Sequence, residues 1–424
     1  MTERLLQYIW QFQYFNNSHL HTLDGQLLQV IQPGMYNTNQ GPDFLNAKIK
    51  TGTTVWAGSV ELHINTSDWQ QHDHSNDANY NNVILHVVWN HDHDLQLSFP
   101  TVELQNRVSK LLLSKYDQLM KEKVFIACED LARFVNDITI SSWKERLLVE
   151  RLQHKAKYIE SLLKRNNQHW EETFWWLLAR NFGATVNSDA FEKMAMSIPI
   201  NILAKHKQQL HQLEALLMGQ CGLLDKKLED DYAVMLQKEF RFLQKKYSLH
   251  KIHASVFFLR MRPANFPSIR LSQLASLIHQ GQHLFSGIKE TDDINDVEKL
   301  FLVTANDYWH YHFVFDEPAA FKKKTLGKQM LQNIMINTVV PVVYAYGYFN
   351  NHEGYKHKAI KWMEKLAAES NSITKEFSSL GLENKSAFDS QALIQLKNAY
   401  CDQKRCLQCA IGNKILKDHA KMQG

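Results

Sequence analysis

Gly41-Pro42-Asp43-Phe44 opens one strand-like run and Ser59-Val60-Glu61-Leu62-His63 lies within a second, with Thr51-Gly52-Thr53 between them. Two such runs, 44–50 and 54–64, flanking a three-residue loop that contains Gly predict a β-hairpin. With that loop Lys50 faces Thr54, and counting back along both strands places Asp43 opposite Glu61. Side chains alternate along a strand, so His63 shares the face of Glu61. Two carboxylates across a strand pair repel each other unless a cation or a proton sits between them. The pair is therefore a candidate cation site, and it depends on register, because a slip of one residue turns Asp43 to the other face.

The same stretch continues through Trp69-Gln70-Gln71-His72-Asp73-His74 and ends in Asn82-Val83-Ile84-Leu85-His86-Val87-Val88-Trp89. The first part is a polar, His-rich connection, and the second is a nearly continuous apolar run of the kind a central buried strand needs. Outward from this core, residues 3–15 form an amphipathic helix and 26–32 a strand closed by Pro33-Gly34. Residues 95–102 supply an edge strand and 104–121 a helix. The order is helix, three strands, connection, strand, helix.

Beyond residue 128 the pattern is helical, with long periodic segments at 141–164, 170–182, 203–218, 230–247, 327–348, 356–369 and 391–400. The fold class predicted is α+β. A small mixed-sheet domain over residues 1–125 precedes a large all-α domain over 126–424 that carries a C-terminal cysteine cluster.

Forty-four per cent hydrophobic residues in a chain of 424 describe an ordinary folded protein with room for a large core. The most apolar run, 334–349, is interrupted by Asn337 and Pro341 and is too short to span a bilayer. The N-terminal sequence lacks signal-peptide architecture, and five cysteines without an export signal read as reduced thiols or metal ligands. A cytoplasmic protein with no membrane association is expected. The net charge of +4 conceals an asymmetry: the first hundred residues hold three basic and nine acidic residues, and eight of the 21 histidines. The remainder carries an excess of ten positive charges. An acidic, His-rich domain tied to a basic body suits a metal-dependent enzyme acting on a polyanion, or simply an uneven solvated surface. Neither Gly-x-x-x-x-Gly-Lys-Ser/Thr nor Gly-x-Gly-x-x-Gly occurs, so nothing supports a nucleotide-binding enzyme of those types.

Three further groups of residues carry chemistry. His72 and His74 could add imidazole ligands beside the sheet or form polar loop surface, whereas His86, within an apolar strand, reads as a hydrogen-bonded core residue. Cys401, Cys406 and Cys409 follow Cys-x4-Cys-x2-Cys spacing, close enough for one zinc ion or iron–sulfur cluster, with Cys128 or Cys221 available as a fourth ligand. Cys221 reads more simply as a small packing residue at a helix end. Arg260, Arg262 and Arg270 surround Pro263-Ala264-Asn265-Phe266-Pro267, where they could grip nucleic-acid phosphates or brace a helix–helix corner.

The stretches Asn37-Thr38-Asn39-Gln40-Gly41-Pro42-Asp43-Phe44, Trp56 to His63 and Arg262-Pro263-Ala264-Asn265-Phe266-Pro267, with the final cysteines, resemble an uncharacterised bacterial family known only as a domain of unknown function. That resemblance covers nearly the whole chain and implies no activity. Over about residues 1–100, the element order with Pro-Asp entering one strand and Glu-x-basic on the next is similar to the PD-(D/E)xK nuclease superfamily. The similarity implies that Asp43 and Glu61 hold a divalent cation, Mg or Mn, and that His63 stands where the superfamily's catalytic lysine belongs. A neutral imidazole can accept a proton or bind a metal but cannot supply lysine's permanent charge. The cysteines look like the iron–sulfur staple of some nucleases in that superfamily, with different spacing and order. The expectation is a metal-dependent nuclease acting on DNA rather than RNA. The alternative is a non-catalytic nucleic-acid-binding or protein-interaction module on a degraded nuclease fold.

Overall fold

The computed structural model describes residues 1–121, 124–250, 252, 256–259, 261–281 and 283–420. The chain divides into two compact units. The first comprises Met1–Trp143 with Ser379–Leu382 and the C-terminal stretch from Leu396 onward; the second comprises Lys144–Ser378 and Glu383–Gln395. A linear division at residue 125 therefore differs from the compact units, since the cysteine-bearing C-terminus groups with the sheet.

The first unit is built on a six-stranded mixed sheet of order β1-β3-β4-β5-β6, with the short β2 also paired to β3. Its strands are β1 (Leu28–Gln32), β2 (Met35–Tyr36), β3 (Phe44–Thr51), β4 (Thr54–Asn65), β5 (Val83–Asn90) and β6 (Thr101–Glu103). Helix α1 (Glu3–Gln11) starts at Thr2, whose hydroxyl accepts the Leu5 N–H, and buries Leu5, Leu6, Ile9 and Trp10 at helical spacing. These side chains share a core with Phe44, Ile49, Val60, Leu62, Leu85 and Val87 from the sheet.

The hairpin connection is one residue shorter than the sequence pattern predicts. Thr51 pairs with Thr54, leaving Gly52-Thr53 as a two-residue loop with Gly52 at φ +56°, a position that favours glycine. Lys50 accordingly faces Val55 rather than Thr54. The register then shifts between Ala47 and Phe44, where Asn46 adopts φ +57°. This β-bulge absorbs one residue, and Phe44 pairs with Val60. The next pair outward is Asp43 and Glu61, as the sequence predicts.

β4 and β5 are parallel, with Glu61 beside His86 and Leu62 beside Val87. A parallel pair cannot be closed by a tight turn, so its crossover must pass over one face of the sheet. Here the crossover contains α2 (Asp68–Gln71) and two 3-10 turns, His74–Asn76 and Ala78–Tyr80. Val60 and Leu62 face the apolar core, so Glu61 and His63 face the opposite side. β5 lies between β4 and β6, and Val83 to Val88 are all buried, as its apolar sequence requires.

The second unit is helical around a single large core. Trp170–Phe182 has the predicted bounds, whereas the expected 203–218 helix breaks into Ile200–His206 and Leu210–Gln220. The 327–348 segment contains a π-helical turn, Met335–Val339, between Lys328–Ile334 and Val340–Phe349. Pro341 has no N–H to give the preceding turn, and the wider turn lies directly before it. Among the described residues, no helix is long and apolar enough to cross a membrane.

Candidate metal centre

Asp43 enters β3 and donates its backbone N–H to Glu61 Oε2 at 2.9 Å. Its own carboxylate accepts the Leu62 N–H at 3.2 Å and the Gln7 side-chain amide at 2.8 Å. Gln7 lies on α1, so the helix that packs the sheet also orients the first acid. Burial raises the pKa of both carboxyl groups, and the Asp43 charge raises that of Glu61 further. The two acids are thus neighbours in a site that disfavours two uncompensated negative charges.

Three histidines, His72, His74 and His86, gather around His63, and two of the four rings reach Glu61. His63, 1% exposed, directs Nε2 to within 3.6 Å of Glu61 Oε1, and His74 brings its Nε2 within 3.5 Å of the same oxygen. His63 Nε2 also lies 3.2 Å from His72 Nδ1 and 3.3 Å from His74 Nε2. On its other side His63 Nδ1 meets His86 Nε2 at 2.9 Å. His72 caps α2, and Asp73 in the left-handed region at φ +56° turns the chain so that His74 points back to the same place. The buried Trp69 holds this loop by donating its indole N–H to Ser75 Oγ at 3.0 Å, while Tyr80 stacks on His74 with ring centroids 3.9 Å apart.

A neutral imidazole has one N–H and one lone pair, and a single proton on His63 Nε2 cannot serve two other ring nitrogens and a carboxylate together. Burial and then the neighbouring rings push the His63 pKa down to about 2, and burial pushes that of His86 to about 3. Both are neutral near pH 7, so His63 does not carry a lysine-like charge. Ligands bonded tetrahedrally to one ion at about 2.0–2.1 Å stand about 3.3–3.4 Å apart. His63 Nε2 stands 3.2–3.6 Å from His72, His74 and Glu61, and His74 Nε2 stands 3.5 Å from Glu61. The three imidazoles form a set whose ligand atoms all lie within 4.8 Å of one another. Their donor chemistry fits a divalent transition metal.

Residues 3–372 match the family described as "Protein of unknown function (DUF2851)". The chain belongs to this family. No curated protein and no solved structure matches it. The DUF2851 match includes Asp43, Glu61 and all four histidines of the cluster, and it ends before Cys401.

In this DUF2851 chain the four candidate cysteines come from three places in the first unit. Cys128 precedes the helix Glu129–Ala132, Cys401 ends the segment Leu396–Cys401, and Cys406 and Cys409 flank the turn before Ala410–Ala420. Burial pushes the Cys128 thiol up to about 12, with Cys409 and Cys406 adding to the effect. Cys401 is raised likewise by burial and by the other three sulfurs. Burial pushes the Cys409 thiol up to about 11, and the backbone N–H groups of Gly412 and Ile411 oppose the shift. Gly412 also passes so close to the loop that a Cβ there would sit 2.4 Å from the Cys406 carbonyl. Cys221, by contrast, packs in the apolar core of the second unit.

Arg262 is exposed and Arg270 is 9% exposed, while Arg260 lies outside the described residues. Arg270 donates to Asn265 Oδ1 and Gln273 Oε1, which braces the corner into the helix Pro267–Gln280. Sequence reasoning also missed Gln7, Trp69 and Tyr80 as supports of the histidine cluster. Gln7 reads as the polar face of a helix, and only the aromatic content of the loop hinted at the other two.

Proposed function

We propose that the first unit is a cytoplasmic, metal-dependent nuclease or nuclease-like DNA-processing enzyme that hydrolyses phosphodiesters. The observation that carries this reading is the convergence of His63, His72 and His74, with the Glu61 carboxylate beside His63 and His74 and Asp43 beside Glu61. Imidazole-rich ligation favours Mn or Zn over Mg, which narrows the cation expected from the acids alone. When bound, such an ion supplies a polarised phosphate and a hydroxide-like nucleophile. His63, His72 and His74, with Glu61 beside them, would hold it; His86 fixes the ring of His63; and Asp43, held by Gln7 and the Leu62 N–H, would be placed to accept a proton or hydrogen bond from a water at the site. The basic excess beyond residue 100 suits a nucleic-acid substrate, with DNA favoured.

The same unit's Cys128, Cys401, Cys406 and Cys409 hold a structural zinc ion or iron–sulfur cluster in this reading. Burial without a cation holds these sulfurs as thiols, and a metal converts them to ligands. The donors aimed at Cys409 are the hydrogen bonds a bound thiolate receives.

The test uses the full chain, purified anaerobically. Metal analysis and a visible spectrum report both centres, and labelled single- and double-stranded DNA is incubated with Mn, with Zn or with a chelator. Metal-dependent cleavage that Glu61→Gln and His74→Ala abolish, with their thermal melts intact, supports the nuclease. Salt-dependent DNA binding without cleavage replaces it with a non-catalytic binding module. Cys406→Ser should release the second metal while leaving the histidine-bound metal in place.

A further inference from the structure

The second unit contains a cleft of about 670 Å³ whose described lining includes no Asp or Glu. Lys155, Arg180 and Arg270 reach it, together with the amides of Asn181, Asn265 and Asn337. Arg180 is neutralised by Asp189 and Glu192. Among the described residues Arg270 has no such partner, and Lys155 has only the Glu369 carboxylate acting on it without a direct ion pair. Arg270 bonds only the neutral side chains of Asn265 and Gln273, and its buried Nε has no hydrogen-bond partner. Lys155 bonds Asn337 Oδ1 at 2.8 Å and the Ile336 carbonyl at 3.4 Å, both neutral.

Burial pushes the Arg270 guanidinium down to about 10 and the Lys155 ammonium to about 7, with Arg151 adding to the shift at Lys155 and the Glu369 carboxylate opposing it. Burying a cation without an opposite charge destabilises the folded state, and an anion arriving from solvent offsets that cost. Two further features favour an anion here. The first turn of the helix Pro267–Gln280, where Arg270 sits, has neither an acidic residue nor a capping side chain. The π-helical turn Met335–Val339 supplies Asn337 and Thr338 to the wall, and Asn181 holds Thr338 Oγ1 at 2.9 Å.

The remaining lining mixes polar Thr185, Ser188, Gln329 and Asn333 with an apolar or aromatic part that includes Tyr158, Ile159, Leu177 and Val342. Pockets for small organic ligands typically measure about 300–1,000 Å³ and combine apolar walls with a few placed polar groups. We propose that this cleft binds a phosphorylated small molecule of nucleotide size, with its phosphate between Arg270 and Lys155 and its apolar part against Leu177 and Val342. It is separate from the histidine cluster and does not depend on the nuclease reading.

The experiment titrates the full chain with AMP, ATP and pyrophosphate, by calorimetry and by thermal shift. Saturable binding of AMP or ATP at least about tenfold tighter than pyrophosphate is expected. Arg270→Gln and Lys155→Gln should each weaken it by about tenfold or more, whereas Arg270→Lys retains part of it and Glu61→Gln all of it. Without ligand, Lys155→Gln should leave the melting temperature unchanged or raise it, because it removes an ammonium that burial disfavours. Failure of all three probes to bind overturns the proposal. So does binding that survives both glutamine substitutions, or pyrophosphate binding as tightly as the nucleotides. If Arg270→Gln does not fold, Lys155→Gln decides.

Discussion

His63 Nδ1 and His86 Nε2 stand 2.9 Å apart in the floor of the cluster, and His86 Nδ1 is buried with no hydrogen-bond partner. Only one proton fits between the two facing nitrogens. For His63 Nε2 to offer a lone pair, that proton must sit on His63 Nδ1 and be donated to His86. His86 thus sets the tautomer of its neighbour.

Replacing His86 by Phe should therefore lower metal affinity by about 10–100-fold, the usual cost of removing a hydrogen bond to a ligating imidazole. His86→Gln keeps an acceptor and should recover part of that loss. Competition against a metal-sensitive dye measures both. Equal affinity in wild type and His86→Phe would show that His63 is oriented by packing alone.

The bulge at Asn46 gives a second prediction. Its φ of +57° is tolerated by Asn and Gly but is strained for a β-branched residue. Asn46→Gly should melt near wild type, while Asn46→Val should cost about 1–2 kcal/mol. Because the bulge restores the pairing of Asp43 with Glu61, Asn46→Val should also lower metal content, measured on the purified chain.

Gly219 permits the close approach of two helices in the second unit. A Cβ at this position would lie 2.2 Å from Cγ of Phe240. Gly219→Ala should destabilise by about 1–3 kcal/mol through overpacking. Phe240→Leu in the same chain should return part of that loss, so a double-mutant cycle by urea unfolding should show coupling.

Glu214 is wholly buried and is held by Trp309 Nε1 at 3.1 Å and by the Tyr232 hydroxyl. Burial raises its pKa from 4.5 to about 7 despite these hydrogen bonds. Between those values the folded state retains a proton that the unfolded state has lost. Stability from this group is therefore full below pH 4.5 and declines as pH rises towards about 7. The shift corresponds to about 3 kcal/mol across the window. Glu214→Gln should remove that slope from urea-unfolding curves collected across the same range.

Much of the site was legible because strand alternation is a strong constraint: Glu61 and His63 had to share a face, and Asp43 had to lie near them. The hairpin turn was read one residue too long, yet the pairing held because the bulge at Asn46 compensates. Nothing in a period-two pattern marks a bulge except an Asn tolerant of positive φ. The approach of His72 and His74 was less accessible, since it depends on the short α2 helix and on the left-handed turn at Asp73. For Arg270 the sequence left two readings open, a phosphate grip or a helix–helix corner, and its bonds to Asn265 and Gln273 are those of the corner. The cleft was invisible to local reading, because Lys155, Arg270 and Asn337 are far apart in the chain and meet only through tertiary packing.

The histidine crossover also has a bearing on biogenesis. His72 and His74 lie only nine and eleven residues from His63 in the chain. Closing loops of that length costs little conformational entropy and takes well under a microsecond. The acids and imidazoles can thus find one another while most of the helical second unit has yet to leave the ribosome, so a metal bound at the proposed site would be captured by the nascent chain and would guide its folding.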